Sequence, residues 1–243
     1  RIAGHLGLDN LIMFYDSNDI QLSTPTSDVI SEDTALKYQA WNWNVIEIDG
    51  NDPVQIREAL IKANEESQRP TLIIGHTVMG KGARKADGSS YEKCCQTHGA
   101  PLGGDNYIQT LKNLSADVDN PFQVRPAVEK MYAERLEELR KEVRSLRAEE
   151  QAWAAENPTK AQLQADWFAN RLPQLPWGEI EHKANSATRN GSKIILAMLS
   201  KHVPNMIVSS ADLCNSDKTD GFLAYTTEIS RTNFAGGFFQ AGV

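Results

Sequence analysis

The chain has little cysteine. Three residues, Cys94, Cys95 and Cys214, occur among 243. They make no disulfide framework of the kind that staples small secreted domains, and no pair has zinc-ligand spacing. Adjacent Cys94 and Cys95 are a poor redox pair and a poor chelate, so reduced thiols in a cytoplasmic protein are expected. Long apolar runs are also missing. No stretch is long and apolar enough to span a membrane, and no secretory signal is present. Basic residues are in deficit: 25 Lys and Arg against 32 Asp and Glu leave a net charge of -7. Such a surface argues against non-specific nucleic-acid binding, though local Lys or Arg pockets for phosphates stay open. Two nucleotide motifs are lacking too. Gly80-Lys81-Gly82 does not have the spacing of a P-loop, and no strand runs into Gly-x-Gly-x-x-Gly. Kinase, NTPase and dinucleotide-dependent oxidoreductase chemistry therefore have no support.

What is present is ordinary for a globular protein: 40% hydrophobic and 23% charged residues. The length suits one large or two modest domains. The chain starts at Arg1 rather than Met and stops in an apolar, Gly-containing run. An internal piece of a longer protein is the expectation.

The run Leu11-Ile12-Met13-Phe14-Tyr15 reads as a strand covered on both faces, because it is short, continuous and apolar. It ends in Asp16-Ser17-Asn18-Asp19-Ile20. The carboxyl end of a strand is where open α/β sheets bind ligands. The Asn18 side-chain oxygen and the Ile20 carbonyl are hard donors that suit Mg2+ or Ca2+. Asx turns at Asp16 and Asn18 are the alternative.

Strand and helix signals alternate as far as about residue 113. Ser31-Glu32-Asp33 predicts a helix start with an acidic first turn, running to about Trp41. Val45 to Ile48 reads as a strand. Asp52-Pro53 predicts a capped helix over 54–67, with Ile56, Leu60, Ile61 and Ala63 on its apolar face. Thr71 to Gly75 is a third strand. This alternation predicts βαβ units and a parallel sheet, an α/β fold. Residues 76–106 form a long Gly-rich loop, which is usually functional or disordered.

From Pro126 to Glu150 the sequence is highly charged. Leu136, Leu139, Val143 and Leu146 recur at helical spacing, over too few heptads for a coiled coil, which predicts an amphipathic surface helix. A second helical piece follows over 159–170, and 173–177 reads as a linker. A new α/β pattern starts at Thr188-Arg189, with a helix face at Ile194, Ile195, Met198 and Leu199 and a strand over Met206 to Ser209.

Single residues stand out along this frame. His98 lies on a Gly-rich loop, where an imidazole either transfers protons near neutral pH or is merely solvated. Arg189 opens a helix and Ser216 follows a strand end. An Arg and a hydroxyl in such places suit a phosphate, or else a surface pair.

The order of these features is the specific signal. Phe14 to Ile20, the strand and loop from Thr71 to Gly82, His98-Gly99-Ala100-Pro101-Leu102-Gly103, Arg189, and Ser209-Ser210-Ala211-Asp212-Leu213 with Ser216 four residues after the Asp together resemble bacterial transketolases. The resemblance covers essentially the whole chain. It implies an enzyme that uses thiamine diphosphate and a divalent cation, Mg2+ or Ca2+, to move a two-carbon ketol unit from a ketose phosphate to an aldose phosphate in the pentose phosphate pathway. It implies parallel-sheet domains joined by a helical linker. Residues 1–125 would be the C-terminal part of a pyrophosphate-binding domain, 126–185 the linker, and 186–243 the start of an incomplete pyrimidine-binding domain. By position, Asn18 and Ile20 would ligate the cation and Asn18 would also touch the diphosphate. His98 would sit near cofactor and substrate as a catalytic group, and Arg189 and Ser216 would hold the substrate phosphate. Asp212 lies beside them. A homodimer with cofactor between subunits is implied.

The resemblance also marks departures. The family's first metal carboxylate lies before Arg1, and its cofactor-activating Glu would follow Val243. At Asp19 the family more often has Gly. The isolated piece is expected to be inactive. A deoxyxylulose-phosphate synthase and a non-catalytic assembly module that keeps the fold are the rival readings.

Overall fold

Three apolar runs line up as one parallel sheet in the first of two units, Arg1–Val124. They are β1 (Ile12–Ser17), β2 (Asn44–Asp49) and β3 (Thr71–His76). The order is β1-β3-β2, with Ile12 and Asn44 both opposite Thr71, and Ser17 and Asp49 both opposite His76. All three strands therefore end at one edge. The computed structural model describes residues 1–242, so Val243, the last residue of the segment expected over 186–243, lies outside the described residues.

The strand buried on both faces is β3, whose Leu72, Ile73 and Ile74 are 0–3% exposed. β1 was expected to be covered on both faces and is not. It lies at the sheet edge, with Met13 39% and Phe14 46% exposed. A continuous apolar run fixes a strand, but pairing on both sides decides how deeply it is buried.

Helices cover the two faces. α1 (Ile2–Leu6) closes at Gly7, whose φ of 67 is the left-handed conformation glycine adopts without strain. α2 (Thr34–Ala40) is capped by Asp33, whose side chain accepts from Leu36 N at 2.9 Å, and not by Ser31 as expected. α3 (Pro53–Glu65) starts as its sequence predicts: Asp52 accepts from Val54 N at 2.8 Å and Pro53 fills the first turn. On one face Ile48, Ala59, Ala63 and Ile73 pack together. On the other, Trp43, Leu72 and Ile74 form the core, with the Tyr38 ring edge-on to Trp43 at 5.1 Å. α3 meets the sheet through small Ala59 and Ala63. Leu60 and Ile61, assigned to its apolar face by spacing, are 43% and 53% exposed. Small residues four apart let a helix approach the sheet more closely than the bulky ones beside them.

The expected long loop carries more order than its composition suggests. It holds one helical turn, α4 (Gln96–Gly99), and leads into α5 (Gly104–Asn113). Buried Thr110 on α5 accepts from Arg84 N at 2.9 Å, and Glu92 accepts from Gly82 N at 2.7 Å.

The second unit, Arg125–Val243, begins with α6 (Pro126–Glu156), 31 residues of which none is buried. The predicted helix runs on to Glu156, past Glu150 where the charged stretch was expected to end. α7 (Pro158–Phe168) follows directly. α8 (Thr188–His202), β4 (Val208–Ser210), the single turn α9 (Cys214–Asp217) and β5 (Phe238–Gln240) complete the unit. β4 and β5 pair in parallel, and Val208, Phe222 and Phe238 make a core against Leu196 and Leu199 of α8. At Gly221 an added Cβ would lie 2.4 Å from Lys193 O, so glycine is what lets this segment reach α8. Among the described residues no helix is long and apolar enough to cross a membrane.

Candidate active site

The carboxyl edge of the first sheet is the place to build from, because strand ends there leave backbone and side-chain oxygens unpaired by the ladder. The chain leaves β1 through Asn18, Asp19 and Ile20. Asp19 has φ 63, a left-handed conformation uncommon outside glycine but tolerated by Asp. That turn folds Asn18 Oδ1 back to accept from Ile20 N at 3.1 Å. The Asp19 carbonyl accepts from Thr26 N at 2.9 Å, which pins the far side of the loop. An Asx turn thus forms, and it uses one of the two lone pairs on Asn18 Oδ1. The Ile20 carbonyl accepts no hydrogen bond among the described residues. Two hard oxygens therefore stand within one turn, which fits a Mg2+ or Ca2+ ion in donor type. Among the described residues no cluster of three His, Cys, Asp or Glu side chains could complete such a site.

Residues that motif reading missed hold this edge in place. Thr77 Oγ1 donates to Asp16, and Thr77 N donates to Ser17 O at 3.1 Å. Asn51, just past β2, accepts from Val78 N at 3.2 Å. His76 Nε2 lies 3.1 Å from Glu47 Oε2, both half exposed. The only sequence signal for Thr77 and Asn51 was that each follows a strand closely.

His98 lies in α4 and is exposed, its N–H donating to Cys95 O at 3.1 Å. Two glycines show where α4 sits. A Cβ at Gly80 would fall 2.9 Å from Thr97 Oγ1, and one at Gly99 would fall 3.3 Å from Leu22 Cδ1. The turn bearing His98 is therefore wedged against the loop after β3 and the loop after Ile20. Residues eighty apart in sequence share one sheet edge.

In the second unit Arg189 is the second residue of α8, exposed and without an ion-pair partner among the described residues. α8 starts at Ala187 with no side-chain cap, so its first N–H groups are open to an acceptor. One turn on, Lys193 pairs with Asp220 at 3.2 Å. Ser216 lies in α9, exposed, its N–H donating to Leu213 O at 2.8 Å. Asp212 takes φ 65. Arg189 and Ser216 come from elements that both pack toward the segment 219–224, but among the described residues no hydrogen bond or ion pair joins them. Ser210, read in the sequence only within the Ser209–Leu213 block, and Asp217, which sequence reading passed over, brace this loop. Ser210 Oγ donates to Asp217 at 3.1 Å and accepts from Leu213 N at 3.2 Å. The Thr219 N–H and hydroxyl, with the Ser210 hydroxyl, hold the Asp217 carboxyl below the usual aspartate range.

Comparison with known proteins bears on the family and the fold. Residues 1–173 match the family described as transketolase, thiamine diphosphate binding domain. Transketolase 2 of Xanthobacter flavus is 33% identical over 226 residues, 90% of this chain and 32% of that protein. The transketolase of Mycobacterium tuberculosis H37Rv is 34% identical over 218 residues, 87% of this chain and 30% of that protein. The solved transketolase of Leishmania mexicana superposes with a TM-score of 0.85 at 28% identity, covering 100% of this chain and 36% of that one. A Pichia stipitis transketolase in complex with sedoheptulose-7-phosphate superposes at 0.87 and 26% identity, again covering 100% and 36%. The chain spans about a third of the length of the relatives it matches. With most of its length inside the family's thiamine diphosphate binding domain, this chain belongs to the transketolase family.

Proposed function

We propose that this chain is a portion of a transketolase that transfers a two-carbon ketol unit from a ketose phosphate to an aldose phosphate, within the pentose phosphate pathway of the cytoplasm. On this reading residues 1–125 are the later part of the pyrophosphate-binding domain, 126–185 the helical linker and 186–243 the start of the pyrimidine-binding domain. The observation that supports it is the packing of Gly99, next to His98, against Leu22 of the loop that follows Asn18 and Ile20.

Asn18 Oδ1 and the Ile20 carbonyl hold the divalent cation, Mg2+ or Ca2+, and Asn18 faces the diphosphate. The cofactor, when bound, supplies the nucleophilic carbon that attacks the ketose carbonyl. His98 holds or moves a proton at the substrate oxygens, and its side chain is exposed to reach them. Arg189 receives the substrate phosphate with its planar fork of donors, and Ser216 adds a hydroxyl. The cofactor lies between the subunits of a homodimer. The Leishmania mexicana and Pichia stipitis structures carry the transketolase name, and one Pichia stipitis structure holds a sugar phosphate, which supports the substrate class.

The test is ketol transfer with thiamine diphosphate and Mg2+, measured on the 243-residue chain and on the chain extended to its relatives' length. The short chain is expected to be inactive. The extended chain is expected to turn over and to lose at least tenfold in rate on His98→Ala. An extended chain that binds no thiamine diphosphate in the presence of Mg2+ refutes the proposal.

A further inference from the structure

Two thiols one peptide apart lie in the turn that carries His98. Cys94 and Cys95 are half buried and form no disulfide, and the Cys94 thiol donates to Gln96 Oε1. Their carbonyls build the turn: Cys94 O accepts from Thr97 N at 3.0 Å and from Thr97 Oγ1 at 2.7 Å, and Cys95 O accepts from His98 N at 3.1 Å. Cys95 is helical, with φ -57 and ψ -30. On the upstream side Lys93 sits at φ 52, and its N–H is anchored to Met79 O at 2.9 Å. On the downstream side Thr97 abuts Gly80. The dipeptide is therefore clamped at both ends, and its own carbonyls set the position of His98.

We propose that Cys94-Cys95 is a reversible oxidation site that takes a low-molecular-weight disulfide as oxidant and closes a vicinal disulfide, releasing the turn that holds His98. Adjacent Cα atoms are about 3.8 Å apart across a trans peptide. Ordinary disulfides have Cα atoms roughly 4.4–6.8 Å apart. Ring closure thus requires the peptide between the two residues to twist away from the helical geometry of Cys95. A disulfide strained in this way is readily reduced, which is the property of labile and regulatory bridges rather than structural ones. The same strain makes the adjacent pair poor as a lasting disulfide, so that reduced thiols are its resting form as its sequence suggests, and fits it to a switch that an oxidant closes and a reductant reopens.

The chemistry balances without a bound cofactor. One cysteine thiolate attacks a sulfur of the small disulfide, whose S–S bond breaks and expels one small thiolate. The second cysteine thiolate then attacks the protein-side sulfur of the mixed disulfide and expels the second small thiolate. The protein gives up two electrons and two protons, and the oxidant becomes two thiols. Turning the 94–95 peptide moves the Cys94 carbonyl that Thr97 uses, and the change it forces in the φ and ψ of Cys95 moves the Cys95 carbonyl that His98 uses, so both amides lose their acceptors.

The proposal stands apart from the thiamine reading, since neither the oxidation nor its readout requires turnover. The experiment treats the 243-residue chain carrying Cys214→Ser with oxidised glutathione, then reads intact mass, peptide map and amide hydrogen exchange. Expected are a mass lower by two hydrogens, a 94–95 link, and about tenfold faster exchange at Thr97 and His98 with β3 unchanged, all reversed by dithiothreitol. Cys94→Ser and Cys95→Ser are each expected to stop at a mixed disulfide. Three results overturn the proposal: a mixed disulfide alone in the chain with both thiols, a closed ring that leaves exchange at Thr97 and His98 unchanged, or a ring that also strips protection from β3.

Discussion

Asp19 offers a direct test of the loop on which the cation reading depends. It holds φ 63 while Asn18 Oδ1 accepts from Ile20 N at 3.1 Å and its own carbonyl accepts from Thr26 N at 2.9 Å. A left-handed residue with a side chain costs roughly 1–2 kcal/mol, toward the low end for Asp. Asp19→Gly removes that strain but frees the unfolded chain, an offset of about 0.4–1 kcal/mol. The two effects nearly cancel, so the glycine variant is expected to melt within ~2 °C of the parent. Asp19→Val cannot adopt the turn cheaply and is expected to lose about 1–2 kcal/mol, or ~3–8 °C in Tm for a unit of this size. The same cost appears in function, because the loop must be folded to present both oxygens. A penalty of about 1.4 kcal/mol corresponds to a tenfold weaker apparent cation affinity. The assay is calorimetric melting of the 243-residue chain, together with Mg2+ titration of thiamine diphosphate binding in the extended chain. If Asp19→Val matches Asp19→Gly in both melting and Mg2+ titration, the backbone at this position does not shape the site and the reasoning fails.

Three further outcomes follow from the packing and the charges. Gly4→Ala puts a Cβ 1.7 Å from the Trp41 carbonyl oxygen, where backbone cannot yield easily, and is expected to destabilise the first unit by about 1–3 kcal/mol in urea unfolding. Asp52→Ala deletes the 2.8 Å cap on α3 and is expected to cost about 1 kcal/mol, with faster exchange at Val54. Asp217 is held below its ordinary value of 3.8 by Thr219 first and Ser210 second. Its contribution to stability is therefore complete above that ordinary value and is lost as pH falls through the lower folded one. NMR titration of its carboxyl carbon should place the midpoint under 3.8, and Thr219→Val should raise it.

What could be read from the sequence follows the range of the forces involved. The start of α3 needs only Asp52, Pro53 and their immediate neighbours, and it appears as expected. The cap of α2 is also local, yet Ser31 and Asp33 compete for it, and the carboxylate nearer the helix wins. Burial of β1 depends on how many strands flank it, which no window of residues contains; the same apolar run would serve an edge or a centre. β5 is shorter still, three residues in a Gly-containing stretch, and only its pairing with β4 makes it a strand.

The site divides along the same line. Asn18, His98, Arg189 and Ser216 were singled out from the sequence because their order along the chain carries information that no one of them does. Thr77 and Asn51 were not, because each acts through a hydrogen bond to a loop that only folding brings near, while Ser210 was read only within its block and its bond to Asp217 was not foreseen. These bracing residues hold the loops that carry Asn18 and Ser216. Thr77 ties the end of β3 to the end of β1, from which the Asn18 loop departs, so the loop proposed to hold the cation inherits its position from β3, the most deeply buried strand in the unit. A hard-cation site needs its oxygens held to a fraction of an ångström, and an exposed edge strand alone would not hold them so. The burial of β3 and the placing of Asn18 are therefore one structural fact.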